Sequence, residues 1–228
     1  MTTSGRPRLT TTSYALLGLL AIQPWTAYEL TQQMRRSMHY VWPKSESLLY
    51  TEPKKLVDAG LARVTHQRRG DRTRAQYHIT AAGRRALAAW LDTEPTTPLF
   101  EFETMLRVLF ADQGTPEQLT QALRSAAAWA DGELARARPQ IENYLDTGGP
   151  FPERLHLIAL VVGFYGELFD LIRRFLGDAA DLVETWDATT GVPVDTDLRR
   201  MLERALLRTD PAASTDQTSA ATRNVRRI

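Results

Sequence analysis

The hydrophobic positions of the first part of the chain predict two helices separated by a short turn. Thr12 to Ile22 is apolar on nearly every side, which is typical of a short buried helix, and Pro24 would end it. Thr26 and Glu29 stand three residues apart and form a capping box. A second helix is therefore expected from there to about Met38.

A third predicted helix has one apolar and one polar face. Lys44 to Ser47 supplies its start and Gly60 its stop. At about 100° per residue, Leu49, Pro53 and Leu56 share the buried face. The opposite face carries hydroxyls and charges, flanked by an aromatic and a lysine: Ser47, Thr51, Lys54 and Asp58, with Tyr50 and Lys55 beside them. Because Pro53 cannot bond to the Leu49 carbonyl, we expect a kink there or an irregular first half.

Two stretches rich in β-branched and aromatic residues follow, at Leu61 to Gln67 and Arg74 to Ile79. The residues between them, Arg68 to Thr73, include Gly-Asp, and this pattern predicts a β-hairpin. Thr80 is placed to cap a further helix from Ala81 to about Leu91. Helices, hairpin and helix in this order are typical of a winged helix-turn-helix.

The second half has helical periodicity throughout. Pro139 is expected to kink the longest of its helices. The predicted helices run from Glu101 to Asp112, from Thr115 toward Tyr144, from Glu153 to about Leu176, from there to Trp186, and from Asp195 to Leu207. The fold class is therefore mainly α: an N-terminal winged helix-turn-helix of three helices, a β-hairpin wing and a helix, then a C-terminal α-helical dimerisation domain.

Composition and charge divide the chain into unlike parts. Residues 1–92 carry fourteen Arg and Lys against six Asp and Glu, or +8, whereas residues 93–228 carry fourteen against twenty-one, or −7. A basic half beside an acidic one indicates a polyanion contact confined to the first half. The predicted segments are a flexible arm (1–11), a winged-helix DNA-binding domain (12–92), a linker (93–100), a helical dimerisation and effector domain (101–208) and a disordered tail (209–228).

Candidate DNA contacts lie on the third helix and at the hairpin tip. The polar helix face could enter a major groove, where Tyr50 and the hydroxyls reach base edges and the lysines neutralise phosphate. Arginines are dense around the tip, at Arg68, Arg69, Arg72 and Arg74. Arginine is favoured where a minor groove is narrow, so the tip is expected to contact the adjacent groove or backbone.

Five segments of the first half stand in a specific joint spacing. They are YALLGLL at 14–20, AYEL at 27–30, VWPKSESLLY at 41–50, LVDAGL at 56–61 and YHITAAG at 77–83. Together they resemble the PadR family of bacterial transcriptional regulators, over roughly residues 12 to 91. The resemblance implies a winged helix that binds double-stranded operator DNA and a helical second domain that forms a homodimer.

The resemblance also implies roles for individual residues. Ser45 to Lys55 would be the recognition helix, Arg68 to Arg74 the wing tip, and Tyr28 a phosphate contact. Pro53 departs from the family pattern, in which leucine is frequent here, and this departure bears on the regularity of the recognition helix. The full set of expected DNA contacts is Tyr28, Lys44, Ser45, Ser47, Tyr50, Thr51, Lys54, Lys55, Arg68, Arg69, Arg72 and Arg74.

Aromatic residues recur in and beside the helical half. They could form the core and a dimer interface, or line a pocket for a small aromatic effector, which some relatives of this family bind. The expected pocket residues are Trp90, Phe164, Tyr165 and Phe169.

Several kinds of chemistry are not expected. There is no cysteine, the four histidines lack metal-ligand spacing, and neither a phosphate-binding glycine loop nor a nucleophile elbow occurs. We therefore expect no enzyme, no cofactor and no metal site. His66 and His78 are expected to face each other across the hairpin. Without an export signal or an apolar run of about 20 residues, a cytoplasmic protein with no membrane contact is expected.

Two functions remain open at this stage. The favoured one is a dimeric, ligand-responsive transcriptional repressor. The alternative is a winged-helix module that binds a protein or senses an effector without specific DNA binding. The positive charge of residues 1–92 and the arginine-rich hairpin favour the first.

Overall fold

A computed structural model describes residues 9–37, 41–42, 46–69 and 72–209. The chain divides into two compact units, Met1–Pro98 and Leu99–Ile228. Residues 92–102 between the last helix of the first unit and the first helix of the second contain no helix or strand. The predicted arm up to residue 8 and the predicted tail beyond Thr209 lie outside the described residues.

The first unit has the predicted order of elements, with one short strand added. Its elements are α1 (Thr11–Ile22), β1 (Trp25–Thr26), α2 (Ala27–Ser37), α3 (Glu46–Asp58), β2 (Ala62–Arg69), β3 (Arg72–Ile79) and α4 (Ala81–Leu91). Local capping sets several of these boundaries. Thr10 and Ser13 form a capping box that opens α1 inside the predicted arm. The Thr26 and Glu29 box opens α2, and the Thr80 hydroxyl accepts from the Gly83 amide at the start of α4.

Strand β1 was not predicted, because it is defined by a distant partner. Trp25 lies opposite Tyr77 in an antiparallel pairing, which places β3 between β1 and β2. Strands β2 and β3 are also longer than expected, and pair from Ala62 opposite Ile79 to Arg69 opposite Arg72. Ladder hydrogen bonding extends the hairpin through polar residues that have no strand periodicity of their own.

The hairpin register corrects one prediction. His66 lies opposite Ala75, and His78 lies opposite Arg63. The two histidines do not face each other, because positions three apart on a strand point to opposite faces. His78 instead shares a hydrogen bond of 2.8 Å with the Thr65 hydroxyl.

The core of the first unit is built on α1. Its leucines are almost fully buried, as the apolar segment predicted, and α2, α3 and β3 add further apolar side chains. The buried set includes Leu16, Leu17, Leu19, Leu20, Leu30, Met34, Leu49, Leu56 and Tyr77. α1 thus packs against α3, β3 and α4.

The second unit is centred on two long helices. Its elements are α5 (Glu103–Leu109), α6 (Pro116–Thr147), α7 (Leu155–Val183) and α8 (Thr196–Thr209), with short 3-10 helices at Ala111–Gln113 and Pro152–Arg154. The Thr115 and Gln118 capping box opens α6, and Gly148 ends it in the left-handed conformation at φ 75°. The core between α6 and α7 includes Leu119, Leu123, Ala130, Phe169, Ile172, Leu176, Ala180 and Val183.

Two helix boundaries differ from the prediction. α5 is shorter than Glu101 to Asp112, and a 3-10 turn takes its last residues. α7 continues to Val183, where two helices were expected. Leu176, Ala180 and Val183 extend the face buried against α6, and this packing outweighs the helix-breaking preference of Gly177, which is about 1 kcal/mol.

The 3-10 helix and α7 together, Pro152–Val183, are long and apolar enough to cross a membrane by length and composition. A helix of this kind in a domain of a non-membrane protein passes the same test. Charged residues interrupt its second half, where Asp170 forms ion pairs with Arg173 and Arg174.

Candidate nucleic-acid interface

Helix α3 buries one face and exposes the other, as its sequence predicts. Leu49, Pro53 and Leu56 are almost entirely buried. Tyr50 is 41% exposed, and Thr51, Lys54 and Lys55 are exposed beside it. The polar side chains therefore stand on a surface that a groove of DNA could contact.

Pro53 lies inside a helix that is continuous from Glu46 to Asp58. A proline in a helix interior costs about 3 kcal/mol, because it lacks an N–H and its ring crowds the carbonyl four residues earlier. Here the ring is fully buried. Burial in the core of the first unit offsets part of that cost, so the departure from the family pattern leaves the helix continuous.

One buried charge on α3 was not predicted. Glu52 is 3% exposed, and its Oε1 accepts a hydrogen bond of 2.5 Å from the Ser13 hydroxyl of α1. Its Oε2 accepts from the Lys55 ammonium at 3.0 Å. A helical wheel indicates this burial, because at about 100° per residue Glu52 lies about 60° from the buried Leu49.

The first turn of α1 also holds the segment before α3. Trp42 donates from its indole N–H to the Thr12 hydroxyl at 2.9 Å. Thr12 and Ser13 are both buried. Hydroxyls at one helix end therefore bond to α3 and to the segment that leads into it.

Tyr28 lies in the first turn of α2 and is 62% exposed. The capping box of Thr26 and Glu29 fixes the start of this helix, with bonds of 2.8 and 3.2 Å. The phenol is therefore accessible on a well-defined helix end, which is the position that the family resemblance implies for a phosphate contact.

The wing is the hairpin of β2 and β3. The backbone of Arg68, Arg69 and Arg72 lies in these strands, and Arg74 is exposed. The remaining predicted contacts fall partly or wholly outside the described residues: Lys44 and Ser45 are not described, and Ser47 is described only as part of α3.

His78 gives the base of the wing a titratable group. Burial lowers its pKa, and the positive charge of Arg63 on the neighbouring strand lowers it further. The neutral imidazole is therefore favoured, and the Thr65 hydroxyl is its hydrogen-bond partner.

The predicted effector residues fall into two groups, one in each unit. Trp90 stacks on Tyr14 with centroids 5.0 Å apart and the rings 7° from parallel. In the second unit Tyr165 contacts both Phe164 and Phe169. Phe169 is buried and Phe164 is 63% exposed.

Tyr14 and Trp129 are aromatic partners that the prediction did not include. Trp129 meets Phe169 edge to face at 5.4 Å. Burial raises the pKa of the Tyr165 hydroxyl. Within the described ranges, no group of three or more His, Asp or Glu side chains is arranged to hold a metal ion.

The first unit matches a family of known proteins. The family described as Transcriptional regulator PadR-like matches residues 16–89. The negative transcriptional regulator PadR of Bacillus subtilis is 29% identical over 139 residues, which are 60% of this chain and 76% of that protein.

Solved structures share the fold. Bacillus subtilis PadR in complex with operator DNA superimposes with a TM-score of 0.67 at 20% identity, over 76% of this chain and 99% of that one. The same regulator in complex with p-coumaric acid gives a TM-score of 0.61 at 22% identity, over 77% of this chain and 99% of that one. Residues 16–89 of this chain therefore match the PadR-like family of transcriptional regulators, and the fold is similar to that of the solved PadR regulators.

Proposed function

We propose that this chain is a dimeric repressor that binds operator DNA through α3 and the wing and is released by a small aromatic molecule. One observation carries the proposal. Thr51 and Lys54 are exposed on α3 opposite the buried Leu49 and Pro53, with Tyr50 exposed beside them, within a winged helix whose fold matches a regulator solved with its operator.

Helix α3 offers the chemistry that a major groove requires. Tyr50 carries a phenol, and the Thr51 hydroxyl donates to the Leu48 carbonyl at 3.1 Å, which leaves its lone pairs to accept from a base amino group. Lys54 can neutralise a phosphate. The wing arginines and Tyr28 would add contacts to the backbone or to a minor groove, which position the protein without reading sequence.

DNA binding is tested with duplexes selected from a random library by the full-length protein. A palindromic product is expected, because a symmetric dimer requires one. If the dimer neutralises about 6 to 10 phosphates, log K against log salt should have a slope of about −5 to −9. A failure to select any sequence, or binding that ignores salt, would reject the proposal.

Substitutions separate base reading from positioning. Tyr50→Phe and Thr51→Ala should reduce the preference for the selected duplex over random DNA, whereas Arg74→Gln should weaken both about equally. The alternative, a winged helix that binds a protein, predicts that neither set changes any DNA affinity at low salt.

Dimerisation is supported by a second apolar face on α7. One face packs on α6, while the other exposes side chains that recur at helical spacing: Leu157, Leu160, Val161, Phe164, Leu171 and Phe175. A large apolar patch of this kind marks an interaction surface. A second copy of the chain would cover it through a two-fold interface, in which the same patch meets itself.

The aromatic effector is supported by the exposed or half-buried rings of both units and by the relative solved with p-coumaric acid. Such a molecule must bind the DNA-competent and incompetent states unequally, and about 1.4 kcal/mol of coupling gives a tenfold change in operator affinity. We place the protein in the cytoplasm, where its operator lies, and the proposal assigns it no catalytic role.

The effector test uses tryptophan fluorescence with p-coumaric acid and related phenolic acids as probes. Quenching should accompany release of the selected duplex, and Trp90→Phe or Phe164→Ala should reduce both responses. Trp25→Phe is the control, because that buried indole bonds to the Leu19 carbonyl inside the helical core. Quenching without release would show that the rings serve only as core and interface.

A further inference from the structure

We propose that Glu52 is a positioning residue for DNA reading. Its buried carboxylate, held by Ser13 of α1, fixes the rotation of α3 about its own axis and removes Lys55 from the cations available to phosphate. The inference rests on the proposed DNA-binding function of α3.

Burial is the first part of the argument. Glu52 is 3% exposed and Ser13 is 2% exposed. A buried carboxylate is tolerated where each oxygen finds a donor, and here one oxygen accepts from Ser13 at 2.5 Å and the other from Lys55 at 3.0 Å. A movement of α3 away from Ser13 breaks the first bond and leaves a charged oxygen unsatisfied in the interior.

The tether joins α3 to a rigid partner. Ser13 stands in the first turn of α1, where its hydroxyl also accepts from the Thr10 amide at 2.9 Å. The next turns of α1 contribute fully buried leucines to the core, at Leu16 and Leu17. The Ser13 hydroxyl is therefore a fixed point against which α3 is oriented.

Because of the position of Glu52 on α3, the bond to Ser13 also fixes the direction in which the exposed face of the helix points. Tyr50 and Lys54 are each two residues from Glu52, so at about 100° per residue each lies about 160° around the helix from it, on opposite sides. The anchored carboxylate is thus opposite the side chains that would meet DNA. A rotation that re-aims Tyr50 must pull Glu52 away from Ser13.

Pro53 makes a side-chain tether at this place more important. Its nitrogen cannot donate to the Leu49 carbonyl, so α3 lacks one backbone bond next to Glu52. The bond from Ser13 supplies a constraint where the helix ladder is interrupted.

Lys54 and Lys55 differ although they are adjacent and both exposed. The Lys55 ammonium is paired with a carboxylate whose side chain is only 4% exposed. Both lysines are predicted to contact DNA phosphate, but the ion pair with Glu52 offsets the charge of Lys55. Lys54 is then the phosphate-binding cation of this part of α3.

The first experiment measures the ratio of affinities for the duplex selected by the wild-type protein and for random duplex DNA. Ser13→Ala and Glu52→Ala should each lower this ratio about tenfold, the discrimination carried by one good base contact, while Ser13→Ala changes random-duplex affinity less than about twofold. The double variant should lower the ratio no further than the stronger of the two single substitutions, because both remove the same interaction.

Thr31→Val is the matched control. Thr31 is also buried, at 1% exposed, but its hydroxyl bonds to the Ala27 carbonyl within α2. This variant should lower the free energy of unfolding and leave the ratio of the two DNA affinities unchanged. Thermal unfolding confirms that each variant is folded at the assay temperature. If Ser13→Ala keeps the wild-type ratio, or lowers both affinities equally, the anchor serves stability alone and the inference is wrong.

The second experiment uses the slope of log K against log salt on random duplex DNA. Lys54→Met should flatten it by about two units in a dimer, one for each lost phosphate contact, whereas Lys55→Met should change it little. Glu52→Gln should steepen it, because Lys55 is freed. Equal flattening by the two lysine variants would overturn the inference.

Failure of the two proposals can be told apart. A wild-type protein that selects no duplex rejects the proposed function, and this inference with it. A wild-type protein that selects a duplex, with variants that keep its ratio and slope, rejects this inference alone.

Discussion

At the scale of single residues, close contacts decide where substitution is tolerated. Gly83 in the first turn of α4 is buried against the chain that leads into β2, and an added Cβ would overlap the Leu61 carbonyl oxygen. Gly18 within α1 has open space at the same position. Close packing therefore requires glycine at position 83, whereas the space around position 18 would admit a larger residue.

Gly83→Ala is expected to lower the free energy of unfolding by about 1–3 kcal/mol, because backbone must move to admit the methyl group. Gly18→Ala should instead raise it by about 0.5–1 kcal/mol, since alanine orders a helix at less entropic cost. Urea unfolding of the two variants measures both. Equal effects of the two substitutions would contradict the packing at Leu61.

The imidazole of His78 should titrate below its ordinary pKa of 6.5, since burial and the Arg63 charge disfavour the proton. The folded state therefore binds this proton more weakly than the unfolded state does. The stabilisation that comes from the neutral His78 ring is complete above pH 6.5 and is lost as the pH falls below that value. NMR of the ring protons measures the midpoint. Arg63→Gln should raise this midpoint; a midpoint unmoved by that change would leave burial as the sole cause.

At the scale of elements, the pairing of α6 with α7 depends on small residues. Ala130 of α6 and Ala180 of α7 are fully buried in their shared core. Arg124 also joins the helices, with bonds of 2.9 Å to Asp181 and 2.7 Å to Glu184 that raise its pKa. These ionic groups are solvent-exposed, so water and salt screen them.

Ala130→Leu should destabilise the helix pair by about 1–3 kcal/mol, because extra volume in a close-packed core forces the helices apart. Arg124→Met should have a small effect that disappears at high salt. Thermal unfolding at two salt concentrations compares them. A larger loss from Arg124→Met would mean that ion pairs, and not packing, hold the two helices together.

At the scale of the whole molecule, α7 has an apolar face that is exposed in the part of one chain that the structure describes. Its side chains include Leu160 at 73% and Phe164 at 63% exposed. The opposite face of the same helix is the core of the second unit. A helix that is apolar on both faces is typical of a buried position, and a second chain would provide the burial.

The full chain should therefore sediment as a dimer at micromolar concentration, and Leu160→Glu with Phe164→Glu should convert it to a monomer with weaker operator binding. Leu145→Glu is the matched control, since that leucine is 80% exposed on α6. A wild-type monomer, or a double variant that remains dimeric, would show that this face is not the interface.

Features set by neighbours in the chain were predictable. The capping boxes at Thr26 and Thr115 and the cap at Thr80 begin helices as expected, because their hydrogen bonds span three residues. Helical periodicity alone also placed Tyr50 and Lys54 outward and Leu49 inward on α3.

Features set by distant partners were decided by the tertiary structure. β1 exists because Trp25 meets Tyr77, and α7 passes Gly177 because its following turns pack on α6. Most of the polar face of α3 could be predicted, but not the tether that holds it. Glu52 is a charged residue, so composition favours an exposed position, and the approach of Ser13, 39 residues earlier, supplies a donor that its burial requires.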